Sequence, residues 1–63
     1  MKVYVERLDK HVEAKGNDVS GILKSLKLNP VTVLVSKNGK IVLGNEKVSA
    51  KDDVIVYSVV SGG

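Results

Sequence analysis

Cysteine, tryptophan and phenylalanine are absent from the 63 residues, while proline, methionine, histidine and arginine occur once each. Without cysteine there is no disulfide, no thiolate metal site and no cysteine nucleophile. His11, the only histidine, cannot assemble a metal site alone. The two aromatics, Tyr4 and Tyr57, both lie in apolar segments, which leaves little to stack on nucleic-acid bases. The net charge of +3 comes from scattered lysines and Arg7, not from a basic cluster. Its expected use is solubility, and direct nucleic-acid binding is not expected. No run approaches the roughly 18 apolar residues of a membrane helix, and no signal-peptide pattern opens the chain. A soluble, cytoplasmic protein without a membrane partner is the expectation.

Catalytic signals are equally sparse. A chain of this length makes one domain and buries only about 60% of its unfolded surface. Asp9, Asp18, Asp52 and Asp53 fall at predicted turns or a helix start, with no histidine or second acid in an apolar surround to form a tuned pair. Neither Ser36 nor Ser49 sits in a strand-turn-helix glycine motif, and no phosphate-cradling glycine loop is present. Autonomous catalysis is not expected, nor is a bound cofactor or metal.

What is present is strong patterning. "MKVYVE" alternates, with Met1, Val3 and Val5 on one face and Lys2 and Tyr4 on the other, the period of a half-buried strand. "RLDK" supplies a turn through Asp9, "HVEAK" reads as a returning strand, and Gly16-Asn17 closes the hairpin. Asp18 or Asn17 caps a helix on which Val19, Ile22, Leu23 and Leu26 share one face. Gly21 costs that helix about 1 kcal/mol relative to alanine. Pro30 disfavours helical geometry at Asn29 and is expected to terminate the helix there. "VTVLVSK" and "KIVL" flank Asn38-Gly39, a strong hairpin signal because both central residues of a type I′ turn need positive φ. Residues 44–53 form a polar connection anchored by Val48, and "VIVYSVV" (54–60) is a last strand, apolar on both faces. Such a strand is either central or partly committed to a partner.

One helix with one apolar stripe over a sheet is a two-layer α+β domain. If Val54 and Val56 face the helix with Val3, Val5, Val33 and Val35, alternation puts Ile55, Tyr57 and Val59 on the opposite face. Leu34 and Tyr4 join them from neighbouring strands, giving an apolar patch with no second layer to cover it. Patches of this kind mark protein interfaces. His11 and the scattered lysines read as surface residues, with Lys2, Lys37 and Lys40 able to meet an acidic partner. The sequence ends "SVVSGG", which is either a solvated stub or a tail with a purpose.

The order of elements resembles the β-grasp fold of ubiquitin-like proteins. More closely, "KGND" before the helix, "LKLNP" after it, "VTVLVSKNGK" in the middle and "KVSAKDDVIVYSVVSGG" at the end are similar to prokaryotic sulfur carriers of the ThiS and MoaD type. The related small archaeal and bacterial ubiquitin-like modifiers share these pieces. The likeness spans nearly the full length, and its most specific element is an acidic turn, a final apolar strand and Gly-Gly. MoaD-like proteins are usually longer and often carry a Pro-Pro pair before the tail. ThiS commonly has Asp-Gly-Asp where this chain has Lys51-Asp52-Asp53. Those with "LNP" behind the helix and "SGG" at the end are similar to carriers that serve tRNA thiolation and also modify proteins.

The resemblance implies a ubiquitin-like β-grasp: a mixed four- to five-stranded sheet packed on one helix (residues 1–60), with a flexible tail of Ser61, Gly62 and Gly63. It implies that the Gly63 carboxylate is adenylated by an E1-like partner, which uses ATP, and becomes a thiocarboxylate or an isopeptide bond. The protein is then a monomeric carrier and a substrate, not the catalyst. Its expected partners are that activating enzyme, a sulfur-accepting enzyme such as a tRNA thiolase, and target-protein lysines. Tyr4, Leu34, Ile55, Tyr57 and Val59 correspond to the sheet face that meets the activating enzyme in ubiquitin-like proteins. A dedicated carrier for thiamine or molybdopterin synthesis and a non-covalent β-grasp adaptor are the competing readings.

Overall fold

The computed structural model describes residues 1–59. Alternation sets the first strand, Lys2–Val5 (β1), in which Val3 and Val5 are buried and Lys2 is exposed. The turn that follows is closed by Leu8 and Asp9 N–H groups donating to the Val5 and Glu6 carbonyls, with Asp9 at φ 52°. Aspartate enters this left-handed region more readily than most residues. The chain returns as Lys10–Glu13 (β2), antiparallel to β1, with Val3 opposite Val12 and Tyr4 opposite His11.

The helix is Val19–Ser25 (α1), capped by Asp18, whose Oδ1 accepts from the Gly21 N–H at 2.8 Å. Val19, Ile22 and Leu23 are buried and Leu26 is partly buried, as their spacing predicts. The glycine at position 21 has a packing reason. A Cβ on Gly16, which has φ +145°, would lie 2.7 Å from both the Gly21 carbonyl carbon and the Ile22 nitrogen, so the chain can cross the helix start only as glycine. One on Gly21 would meet Gly16 Cα at 3.3 Å.

The helix ends earlier than Pro30 would dictate, and for another reason. Lys27 adopts φ 59°, its N–H donates to the Lys24 carbonyl at 3.0 Å, and the Leu28 N–H reaches back to the Leu23 carbonyl at 2.9 Å. This is a Schellman closure with lysine in the place glycine usually takes. Pro30 instead opens a 3₁₀ turn, Pro30–Thr32, capped by Asn29 Oδ1 accepting from the Val31 N–H. The next strand therefore begins at Val33, not Val31.

Val33–Lys37 (β3) and Lys40–Val42 (β4) are joined through Asn38 and Gly39, both at positive φ, as a type I′ turn requires. Leu43, read as part of the returning strand, lies beyond it and is exposed. The polar connection then passes the start of α1. The Val19 N–H donates to the Glu46 carbonyl, Ser20 N–H to the Gly44 carbonyl, and Val48 N–H to the Asn17 carbonyl, while Val48 itself is buried.

Val54–Ser58 (β5) completes a five-stranded mixed sheet of order β2-β1-β5-β3-β4. It is central, parallel to β1 and antiparallel to β3, which accounts for its apolar residues on both faces. The fold is thus α+β, with one helix against one face of the sheet. Val3, Ala14, Val19, Ile22, Leu23, Val35, Val48, Val54 and Val56 form the core between them. Val5 is buried too, and Val33, expected on this face, packs at the core's edge. Among the described residues no helix is long and apolar enough to cross a membrane. The expected domain boundary at residue 60 and the Ser61-Gly62-Gly63 tail lie outside the described residues.

Candidate functional site

Strand register decides which side chains share the sheet face turned away from α1. One row crosses all five strands: His11, Tyr4, Ile55, Ser36 and Ile41 are successive partners from β2 to β4. A second row pairs Tyr57 with Leu34. Four of the five expected interface residues (Tyr4, Leu34, Ile55 and Tyr57) are therefore brought together. Val59 follows Tyr57 by alternation, held beside β3 by its N–H donating to the Thr32 carbonyl at 3.0 Å. Leu34 and Val59 are 46% and 48% exposed, whereas Tyr4, Ile55 and Tyr57 are half-buried by their neighbours.

Three members of this face were missed by sequence reasoning, although a signal existed for each. Val42 packs against the core, so the preceding Ile41 must point outward, and it is 58% exposed. The same alternation turns His11 outward beside the partly buried Val12, and Ser36 outward beside the buried Val35. Ser36 is nonetheless buried, and its Oγ has no hydrogen-bond partner among the described residues.

The electrostatics of the face belong to one corner. The Tyr4 hydroxyl donates to Asp9 Oδ1, and the Tyr4 and His11 rings meet edge to face with centroids 5.2 Å apart. The hydrogen bond to Asp9 is the main reason the phenol titrates above its ordinary value, aided by burial and by the charges of Asp9 and Glu6. Tyr4 thus stays protonated at neutral pH and contributes an apolar ring and a fixed hydroxyl.

Two charged residues elsewhere, Lys37 and Asp52, are occupied structurally. Lys37, a candidate for an acidic partner, is taken up within the chain: its Nζ donates to Glu46 at 3.0 Å and to the Lys47 carbonyl at 2.8 Å. The bond to Glu46 holds its ammonium above the ordinary lysine value. Lys2 and Lys40 remain exposed. Asp52 accepts from Asn38 Nδ2 at 3.0 Å and from the Ser49 N–H at 2.8 Å. These bonds, Asn38 first, hold its carboxyl below the ordinary range. Asp52 is a loop cap, in keeping with its reading as a turn former.

Among the described residues no three His, Cys, Asp or Glu side chains come together as metal ligands would. The face offers apolar area with a polar corner, which is the chemistry of docking. Gly63, Gly62 and Ser61, the residues expected to react and to thread, lie outside the described residues. No protein-family model matches the chain.

Proposed function

We propose that this chain is a ubiquitin-like β-grasp carrier whose Gly63 carboxylate is activated by an E1-like adenylating enzyme. One observation carries the reading. The central strand β5 contributes Ile55 and Tyr57 to the apolar face and leads, four residues beyond Val59, to Gly63. Four residues reach at most about 14 Å, so a partner that grips the face has the carboxyl group within that radius. The strand order, with β1 and β5 parallel at the centre, is compatible with the β-grasp that the resemblance implies.

A carboxylate is a poor electrophile, because its charge repels nucleophiles and oxide is a bad leaving group. In the proposed sequence a Gly63 oxygen attacks the α-phosphorus of ATP and expels pyrophosphate. A persulfide on a partner protein then attacks the carbonyl carbon and expels AMP. A thiol cleaves the resulting acyl disulfide, leaving the Gly63 thiocarboxylate and a protein disulfide. The sulfur goes on to an acceptor, tRNA thiolation being the favoured one. The same activated carbonyl can be taken by a lysine amine as an isopeptide bond. Gly62 and Gly63, lacking Cβ atoms, suit a narrow channel and leave the carbonyl unshielded.

Deleting Gly63, or adding one residue after it, is expected to abolish ATP–pyrophosphate exchange by the host's activating enzyme while the fold persists. Undiminished exchange would overturn the proposal. Intact mass of protein from its native host separates the branches, since a sulfur-for-oxygen exchange at Gly63 marks the carrier. Lysine conjugates require a wider search than usual. Lys51 is the last basic residue, so trypsin would leave the branch "DDVIVYSVVSGG" on each target and not a short Gly-Gly stub. Neither product, with the partner enzyme present, would leave the non-covalent adaptor.

A further inference from the structure

Asn38 has a second role besides forming the β3–β4 turn. Its Nδ2 donates to Asp52 Oδ1 at 3.0 Å, and its Oδ1 accepts from the Asp53 N–H at 2.9 Å. Its own N–H donates to the Asp53 carbonyl at 2.8 Å. These bonds latch the hairpin tip to the segment that leads directly into the central strand. The residue after it is Gly39, around which a Cβ would meet nothing within 4 Å. Glycine puts no side chain of its own between its backbone nitrogen and the preceding side-chain amide.

We propose that Asn38 is a self-modification site. The Gly39 nitrogen attacks the Asn38 side-chain carbonyl when the turn releases Asp52 and Asp53, and the carboxylate that results cannot remake the bond to Asp52. In the first step the Gly39 nitrogen gives its proton to solvent base and bonds to Asn38 Cγ, and the side-chain nitrogen takes a proton from solvent and leaves as ammonia, closing a succinimide ring. Water then adds to either ring carbonyl and breaks one C–N bond, leaving aspartate or isoaspartate at position 38. The net change is one water consumed and one ammonia released, with no oxidant, enzyme or cofactor.

The latch sets the rate. While Asn38 is bound at both ends of its amide, Cγ is held by Asp52 and Asp53 and is not free to swing onto the Gly39 nitrogen. Reaction therefore draws on the locally opened turn. The latch also sets the consequence. The donor that Asp52 now holds at 3.0 Å would be replaced by a second carboxylate oxygen, and like charges so close oppose each other. With aspartate the turn itself is kept, because Asp-Gly also favours type I′ geometry, whereas isoaspartate lengthens the backbone at the turn. What is lost is the tie to Asp52, while an aspartate can keep both bonds to Asp53. This inference stands on the turn alone and does not depend on the proposed carrier role.

Two measurements test it. The first follows deamidation at mildly alkaline pH by intact mass and fragment ions, in the folded protein, in Asp52→Ala and in the urea-unfolded chain. The unfolded chain is expected to react at least about tenfold faster than the folded protein, with Asp52→Ala between them. Equal rates in all three would overturn the proposal, as would a folded protein that reacts at another residue first. If Asp52→Ala does not fold, Asp52→Asn serves, since it weakens the acceptor and keeps the Ser49 contact. The second compares Asn38→Asp in the wild-type and Asp52→Ala backgrounds. Its thermal midpoint is expected to fall in the first and to change little in the second. The repelled carboxyl has a raised folded pKa, so the deficit should shrink as pH falls through the carboxylate range. An equal deficit in both backgrounds, or one independent of pH, would overturn the proposed consequence.

Discussion

A buried hydroxyl without a partner costs about 1–3 kcal/mol. Ser36 is so placed, 3% exposed and matched in register to Ile55 on one side and Ile41 on the other. Ser36→Ala is expected to raise stability by about 1 kcal/mol in urea denaturation, and a loss of stability would show that Oγ is bonded after all. Asp52 makes the opposite case, a polar group well supplied with donors. Its folded pKa lies below the ordinary value of 3.8, so the unfolded chain takes up the proton first on acidification. Its contribution is complete above the unfolded pKa and is lost as pH falls through the folded one. Asp52→Ala should lower the thermal midpoint at neutral pH, and the two curves should converge in acid. A constant gap would mean the carboxylate is not the cause. The sequence marked Asp52 as a turn former, but its donors come from Asn38 and Ser49, and that pairing needs the folded chain.

Among the elements, α1 shows how seven residues hold together when an isolated helix of that length would not. Its first free N–H groups are met by the Glu46 and Gly44 carbonyls and by the Asp18 side chain, so the loop after β4 acts as part of the cap. Asp18 and the apolar stripe were legible because capping and periodicity are local. The helix end was not, because Lys27 carries no sign of the left-handed conformation that glycine would have announced. The same lysine gives a prediction: Lys27→Gly relieves a strained φ and should stabilise the fold by about 0.5–1 kcal/mol in thermal or urea unfolding. A destabilised variant would mean that the lysine side chain itself closes the helix. Strand positions followed the alternating valines but their limits did not: β3 starts two residues later than read, β4 stops one residue sooner and β5 stops at Ser58, and the 3₁₀ turn at Pro30–Thr32 was missed, since a run of β-branched residues hides a capped turn. Strand order was illegible altogether. It depends on which long-range pairing buries β5, and periodicity holds no record of that.

For the molecule as a whole, the helix covers one face of the sheet and, among the described residues, leaves the other without a second layer. Leu34 and Val59 are its most telling members, because nearly half of each is exposed while Ile55 and Tyr57 are wedged in the central strand. Leu34→Glu is therefore expected to weaken binding to an activating enzyme by about 2 kcal/mol or more. Stability should shift by only about 0.5 kcal/mol. Unchanged affinity in a titration would assign the docking surface elsewhere. The face could be drawn from alternation alone once the inner valines were chosen, whereas the burial of Ser36 and the Tyr4–His11 contact required the register. The parallel pairing of β1 with β5 has a mechanical side as well. Tension applied between the start of β1 and the far end of β5 runs along two parallel neighbours, so it shears them. The Tyr4–Ile55 and Val5–Val56 rungs and the Glu6 N–H bond to the Val56 carbonyl must then yield together. Tension across the β3–β4 hairpin opens its rungs one at a time. Tension that enters at the end of β5 and leaves at the start of β1 therefore meets several rungs at once, where the hairpin offers one.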